Sequence, residues 1–272
     1  MGMYVGKKKV TPILSKSRTD RLQWKCNNMQ SLEDEFYQCA STEIDDILKG
    51  LDVSNIKNFK KCFYESKITE FPNFVSSNIT NASGMCSSCK SLITADVYGL
   101  TGESIIADQM FYNCTKVKTI RFNSNFKPNT VSMSFFSCYK LETIDNLDII
   151  NAITASLFID GCSELKNLTL KNIKVDIPMH YSPKLTDESL INTAKEFWDF
   201  TGSTSKTLKV SATNNARFDA IYVKLITATD EMIAEDEYIN NKKPCEVCES
   251  TDEGAMTLRE YVVSKNWALA KA

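Results

Sequence analysis

Apolar residues recur in one fixed order around evenly spaced positions in the first two thirds of the chain. In the copy around Cys114, a bulky residue precedes the cysteine by three positions, and apolar residues follow it three, six and eight positions later. The copies around Cys138 and Cys162 repeat this order at intervals of 24 residues. The pattern predicts an internal repeat. About six copies are expected, anchored at Cys39, Ser66, Cys89, Cys114, Cys138 and Cys162.

The spacing of the leucines within a copy predicts a short strand. Leu165, Leu168 and Leu170 form the L-x-x-L-x-L pattern that is typical of leucine-rich repeats, with the last two leucines pointing inward. Each copy has one apolar face that it cannot bury alone, so successive copies are expected to stack. The sequence therefore predicts an α/β leucine-rich-repeat solenoid over residues 36–179, with one strand in each copy.

The repeat pattern ends near residue 177, and the following chain predicts a capping region over residues 180–272. Thr186 is a candidate N-cap for a helix that stops at Gly202, and a strand is expected at 207–210. Because the ends of a repeat array must be covered, this region is interpreted as a C-terminal α/β cap. Its other expected segments are a helix at 218–226, an acidic insertion at 228–256 and a helix at 258–265.

The first 35 residues precede the repeats and predict an N-terminal arm or cap. Residues 3–10 alternate weakly between apolar and polar positions, which indicates a short hairpin or an arm. These residues have no obvious pairing partner within the segment, and an unpaired strand edge can pair with another chain. Tyr4, Val5 and Val10 are therefore the candidate residues of an assembly arm that docks on a neighbouring subunit.

Composition and charge narrow the function classes. The chain has 272 residues, with 32 Lys and Arg against 34 Asp and Glu, which gives a net charge of −2. Such a balance provides no overall attraction to nucleic acid. No apolar stretch approaches the ~18 residues of a membrane span, so membrane insertion is not expected. There is no sign of a standard export signal, and no cofactor-binding motif of the P-loop or zinc-protease type occurs.

The ten cysteines are interpreted mainly as thiols rather than as a disulfide framework. Equivalent cysteines in neighbouring copies would lie side by side with parallel side chains, a geometry that does not suit a disulfide. The Cys245-x-x-Cys248 motif lies outside the repeats and leaves three possibilities open, namely a metal site, a redox or disulfide pair, and ordinary loop cysteines. No metal or other cofactor is expected as the main interpretation.

Catalysis is not expected. His180 is the one histidine of the chain, and its pairing with Cys162 as a nucleophilic dyad would lack an orienting third group. A non-enzymatic protein is therefore predicted. The candidate binding residues are instead the aromatic side chains two positions before the anchor of each copy. They would line one edge of the solenoid, where they either bind a sugar or a protein or pack on one another. They are Tyr37, Tyr64, Tyr112 and Phe136.

The F-x-x-C-x-x-L-x-x-I pattern, at a spacing of 23–27 residues, resembles the BspA-like leucine-rich repeats of bacteria and their phages, over residues 36 to about 175. The segments 184–190, 207–210 and 264–269 are similar to the end of BspA-like proteins in phages and prophages of gut bacteria. The chain departs from that family in the long step from Cys39 to Ser66 and in the insertion at 228–256.

The resemblance implies a structural or recognition protein of a phage tail or baseplate, or of a phage-like particle. It implies other tail or particle proteins as partners within an oligomeric assembly, and a host cell-surface protein or glycan as a further partner. The implied location is the virion, after synthesis in the host bacterial cytoplasm. The alternative is a leucine-rich-repeat adhesin at the bacterial cell surface.

Overall fold

The computed structural model describes residues 4–5, 8–9, 16–40 and 47–271 of the chain. The described part is mixed α/β, with several parallel sheets and few helices, as the fold class predicted at this coarse level. The strands of its first two thirds are β1 (Tyr4–Val5), β2 (Lys8–Lys9), β3 (Thr94–Val97), β4 (Gly102–Ile106), β5 (Thr119–Phe122), β6 (Phe126–Thr130), β7 (Thr143–Asp148) and β8 (Asn167–Lys171). A helix, α1 (Lys16–Asn28), follows β2.

The last third alternates short strands and short helices. Its strands are β9 (Ile177–Met179), β10 (Lys206–Val210), β11 (Tyr222–Leu225), β12 (Cys245–Val247), β13 (Met256–Thr257) and β14 (Trp267–Lys271). Its α-helices are α2 (Asp187–Lys195), α3 (Ala212–Arg217), α4 (Asp230–Glu235) and α5 (Leu258–Ser264), and a 3-10 turn covers Ile239–Lys242.

Six successive segments share a pair of residues with positive φ, four positions apart. In the first five pairs the second residue donates its backbone N–H to the next segment, as Gln38 does to the Tyr64 carbonyl at 2.7 Å and Ser137 to the Asp160 carbonyl at 2.8 Å. A left-handed backbone is unfavourable for residues other than glycine, so its recurrence marks the same tight turn in each segment. The pairs are Asp34/Gln38, Lys61/Glu65, Gly84/Ser88, Gln109/Asn113, Met133/Ser137 and Leu157/Gly161.

Four parallel strands lie beside one another in the order β3-β5-β7-β8. Their register aligns Thr94 with Thr119, Thr119 with Thr143, and Thr143 with Asn167. A second parallel pair, β4-β6, lies in another sheet. Neighbouring strands of the four-stranded sheet thus come from neighbouring copies of the sequence pattern.

The expectation of one strand in every copy is wrong for the copy around Ser66. There the described chain makes isolated bridges, Glu70 with Thr94 and Ser76 with Leu100, instead of a strand. Pro72 follows Glu70 by two residues. Proline has no backbone N–H to donate to a neighbouring strand, which explains why regular pairing does not extend through this copy.

The repeated leucine position is buried wherever it was predicted. Leu92, Val117, Leu141 and Leu165 are each 0% exposed. They belong to a core cluster that runs from Leu22 in α1 to Trp267 in β14. The apolar face of each copy is therefore covered by its neighbours, and the core continues into the last third of the chain.

The repeat cysteines are buried thiols that hydrogen bond across the copies. The Sγ of Cys138 donates to the Phe111 carbonyl at 3.0 Å, and the Sγ of Cys162 donates to the Phe135 carbonyl at 3.1 Å. Cys89 and Cys114 make the same kind of contact with the preceding copy. All ten cysteines lie among the described residues, and none of them forms a disulfide. Burial raises the pKa of Cys138 to about 12, so this thiol stays protonated and keeps the proton that it donates.

The last third of the chain agrees with the prediction in several elements and differs from it in two, the end of the first helix and the segment 218–226. Thr186 caps α2 by accepting a hydrogen bond from the Ser189 N–H, but the helix ends at Lys195 rather than near Gly202. The predicted helix at 218–226 is wrong, because α3 ends at Arg217 and residues 222–225 form β11 between β12 and β13. The strand at 207–210 and the helix at 258–265 are confirmed within a residue.

Helix α2 covers the edge of the four-stranded sheet. The Leu168 N–H of β8 donates to the Ser189 hydroxyl at 3.0 Å, and the Thr186 N–H donates to the Lys166 carbonyl at 2.9 Å. Beyond α2, the parallel sheet β14-β10-β9 extends the fold. The last strand of the repeated region is thereby protected from pairing with other chains.

The N-terminal segment confirms the short hairpin, one of its two predicted forms, because Tyr4–Val5 pairs with Lys8–Lys9 as antiparallel strands. The expectation that these residues lack a pairing partner within the segment is wrong. The sequence reasoning also missed α1, which buries Leu22 and Cys26 one helical turn apart against the first copy. Val10, the third candidate arm residue, lies outside the described residues.

Removal of one repeated leucine tests the shared core. We expect Leu141→Ala to lower the free energy of unfolding by about 2–5 kcal/mol, because the side chain is fully buried and leaves a cavity. The neighbouring exposed residue provides a control, since Lys140→Ala should change the free energy of unfolding by less than about 0.5 kcal/mol. Chemical denaturation measures both values, and equal effects would contradict the assigned register.

Thiol labelling tests the state of the cysteines. In the native protein, iodoacetamide should modify the half-buried Cys248 first and the nine buried thiols only after unfolding. After denaturation without any reductant, all ten should be modified, as counted by mass spectrometry. A pair that resists labelling under denaturing conditions would reveal a disulfide and disprove the assignment of free thiols.

Candidate binding site

A cleft of about 520 Å³ lies where the repeated segments meet the last third of the chain. Its walls come from three separate segments, 153–160, 175–181 and 206–209, and we call it the junction cleft. Its volume falls in the range of about 300–1,000 Å³ that is usual for small-molecule sites. The cleft forms because the last repeated segment is followed by β9 and β10, which belong to another sheet, and not by a further copy of the repeat.

Asp160 is a buried carboxylate in the wall of the junction cleft. The residue is 4% exposed, and its Oδ1 has no hydrogen-bond partner among the described residues. Its Oδ2 lies 4.0 Å from the Nε2 of His180, which is longer than a hydrogen bond. Burial raises the pKa of Asp160, while the nearby His180 and Lys209 oppose that effect. An unsatisfied buried carboxylate costs folding free energy, and such groups concentrate at binding sites.

Exposed apolar side chains surround this carboxylate. Ile153 is 78% exposed, Tyr181 is 55% exposed and Leu157 is 36% exposed, and all three line the junction cleft. The Tyr181 ring lies 4.1 Å from the His180 ring, measured between centroids. Clustered exposed apolar groups beside an unpaired polar group are typical of a ligand site.

Charges of both signs line the same cleft. Lys206 and Lys209 come from β10, and Asp176 joins Asp160 on the acidic side. Asp176 accepts a hydrogen bond from the Thr207 N–H at 2.7 Å, which ties the segment before β9 to β10. The two lysines and two aspartates balance formally, so the cleft has no strong preference for a ligand of either net charge.

The sequence reasoning missed this cleft, although one signal pointed to it. Asp160 occupies the position two before the anchor cysteine, where other copies have Tyr37, Tyr64, Tyr112 or Phe136. A carboxylate at a position that is aromatic in four of the six copies and serine in another identifies Asp160 as unusual. The other cleft residues lie outside the repeat pattern, so periodicity does not single them out.

The four predicted aromatic residues form two stacked pairs rather than one continuous row. Tyr37 and Tyr64 have ring centroids 5.0 Å apart, and Tyr112 and Phe136 have centroids 5.3 Å apart, with an interplanar angle of 5° in each pair. Ser87, which is buried, holds the equivalent position between the pairs. All four rings are half-buried, so much of their surface is used in packing on one another.

His180 and Cys162 do not form a dyad. The Sγ of Cys162 is fully buried and donates to the Phe135 carbonyl, whereas His180 lies beside Asp160 in the junction cleft. The Nδ1 of His180 has no hydrogen-bond partner among the described residues. Cys162 and His180 are thus not arranged as a hydrogen-bonded nucleophile and base.

Cys245 and Cys248 lie at and just after β12, with Cys245 buried and Cys248 half-buried. Burial raises the pKa of Cys245, and a hydrogen bond with Tyr261 opposes that effect. The Tyr261 hydroxyl also donates to the Lys243 carbonyl at 2.8 Å. Across the described ranges, no group of three or more His, Cys, Asp or Glu side chains is placed to hold a metal ion.

Comparisons with known proteins give no family for this chain. A scan against protein-family models matched none of them, and a search of the curated proteins found no match. Among the described residues, no helix combines the length and apolar character needed to cross a membrane. Inference about function therefore depends on the geometry of the chain itself.

Neutralising the buried carboxylate tests its energetic cost. Burial raises the pKa of Asp160 in the native state, so the native protein holds this proton more tightly than the unfolded chain does. The free energy of unfolding therefore falls as the pH rises from ~4 through the raised pKa of Asp160. Asp160→Asn removes the ionisation, so the variant should become increasingly more stable than the wild type between pH ~4 and 7. Denaturation at several pH values measures the difference. Asp145→Asn, on β7 outside the cleft, is the control, and equal pH profiles for the two variants would refute the prediction.

Proposed function

We propose that this chain is a non-enzymatic structural and recognition protein of a phage tail or baseplate, or of a phage-like particle. It contributes to protein–protein assembly and binds the host surface through the junction cleft. The observation that supports recognition is Asp160, a carboxylate 4% exposed whose Oδ1 has no partner in the described part of the chain, beside the exposed side chains of Ile153 and Tyr181. The support for a phage particle is the resemblance of the repeats and of the chain's end.

The architecture that belongs to this proposal is a BspA-like leucine-rich-repeat solenoid over residues 36–179. Residues 1–35 form an N-terminal arm and cap, and residues 180–272 form a C-terminal α/β cap with an insertion at 228–256. The six pairs of left-handed residues and the parallel register of β3, β5, β7 and β8 support it. So do the thiol hydrogen bonds, each of which joins a copy to the one before it.

Binding without turnover agrees with the contacts in the cleft. The separation of 4.0 Å between Asp160 and His180 is too long for the hydrogen bond that orients a catalytic histidine. The exposed hydroxyl of Ser156 lines the cleft as well, but His180 has no hydrogen-bonded partner at Nδ1 among the described residues. These groups can hold a ligand in place, and none of them is activated as a nucleophile.

The two ends of the repeated region are expected to have different tasks in an assembly. Helix α2 covers β8, and α1 buries Leu22 and Cys26 against the first copy, so neither end is left free to stack on a second repeat array. The hairpin of β1 and β2 precedes α1 and is too short to be stable alone, so a neighbouring subunit is its proposed support. Attachment through the arm would leave the junction cleft free.

Deletion of the arm tests the assembly function. The deletion of residues 1–15 stops just before α1. We expect this variant to keep the circular dichroism spectrum of the full chain and to be lost from purified particles. Sedimented particles from a producing culture, probed with an antibody, measure the loss, and full-length Tyr98→Ala is the control.

Normal incorporation of the truncated protein would remove the arm from the proposal. Recovery of the full-length protein with the bacterial envelope, and not with particles, would overturn the phage assignment and favour the surface adhesin.

A further inference from the structure

We infer that the junction cleft binds a neutral saccharide ring, whose hydroxyls bridge Asp160 and His180 and whose flat face packs on Tyr181. This inference rests on the proposed recognition function and names the chemical class of its ligand. It uses residues that the sequence pattern did not assign to any site.

The charge distribution favours a ligand without net charge. Asp160 and Asp176 face the same space as Lys206 and Lys209. A cationic peptide attracted by the aspartates would also meet two ammonium groups, and an anionic ligand attracted by the lysines would meet a buried carboxylate. Desolvating a like-charged pair in either case opposes binding, so a neutral polar ligand is the best match.

The hydrogen-bonding groups favour hydroxyls. The Oδ2 of Asp160 and the Nε2 of His180 lie 4.0 Å apart, a separation that one hydroxyl oxygen can bridge by donating to the carboxylate and accepting from the imidazole. Lys209 lies close enough to Asp160 to lower its pKa and can donate to a second hydroxyl. Adjacent hydroxyls that both donate and accept are the defining feature of a sugar ring.

The shape of the site favours a ring with an apolar face. Tyr181 is 55% exposed although its ring lies against His180, so one aromatic surface is open to a ligand. Ile153 and Leu157 provide apolar contacts in the same cleft. A pyranose presents C–H groups on one face and hydroxyls at its edge, which fits an apolar wall beside a polar one.

Saturation-transfer NMR with small ligands tests the inference. The probes are the methyl glycosides of glucose, galactose, mannose and N-acetylglucosamine, with a lysine tripeptide and N-acetylneuraminic acid as charged comparators. We expect at least one neutral glycoside to bind in the millimolar range and neither comparator to bind.

Two cleft variants locate the binding. Asp160→Asn keeps the side-chain shape and should weaken glycoside binding by about tenfold or more, because a charge-assisted hydrogen bond is lost. Tyr181→Ala should weaken it by a similar factor. Asp145→Asn and Tyr98→Ala change a carboxylate and an exposed tyrosine away from the cleft, and should leave binding within about twofold.

Three results would overturn the inference. These are the absence of binding by every neutral glycoside, preferential binding of the tripeptide or the acidic sugar, and glycoside binding that is unchanged in both cleft variants. The proposed function has a separate readout. If particles with Asp160→Asn adsorb to host cells poorly while no glycoside binds, recognition through the cleft stands and the saccharide class is wrong. If adsorption is also unchanged, both proposals fail.

Discussion

Hydrogen bonding between neighbouring copies is the interaction on which the structure depends. Each copy contains a tight turn with two left-handed residues, and in the first five copies the second of them donates its N–H to a carbonyl of the following copy. A single copy would leave these groups unpaired and its leucine exposed, so no copy is stable alone. The thiols of Cys138 and Cys162 add a contact in the opposite direction, to the preceding copy. Each copy is therefore stabilised by its neighbours, and the first and last copies need other segments of the chain to cover them.

The need to cover the last copy also explains the position of the candidate site. The chain cannot continue with another identical turn, so β9, β10 and α2 take over with different geometry. Where the two arrangements meet, side chains do not interdigitate fully, and the junction cleft opens between them. At this boundary Asp160 replaces the aromatic ring that stacks in other copies, so a charged group lies in the wall of the cleft.

Burial of the Asp160 carboxylate costs folding free energy, and side-chain packing alone does not explain why a carboxylate lies at this position. An aromatic residue at this position would continue the pattern of the Tyr112–Phe136 pair. The chain instead places a carboxylate there at 4% exposure, with no partner for Oδ1 among the described residues and with His180 4.0 Å from Oδ2. A ligand that donates a hydrogen bond to the Oδ2 of Asp160 would offset part of this cost, and the expected gain of stability in Asp160→Asn is the counterpart of the expected loss of binding.

Sequence alone determined the features that depend on local spacing. The period near 24 residues predicts the burial of Leu92 and Leu165, and the side-chain chemistry of Thr186 predicts the start of α2. Tertiary structure decided the rest. Residues 222–225 are an apolar run that suits a helix or a strand, and pairing with β12 and β13 makes them a strand. The junction cleft joins segments that are up to about fifty residues apart in the sequence. Their distance from one another in space depends on where the stacking of copies stops and how the next sheet is oriented. Periodicity specifies contacts between equivalent positions, and the contacts of this site are between positions that are not equivalent.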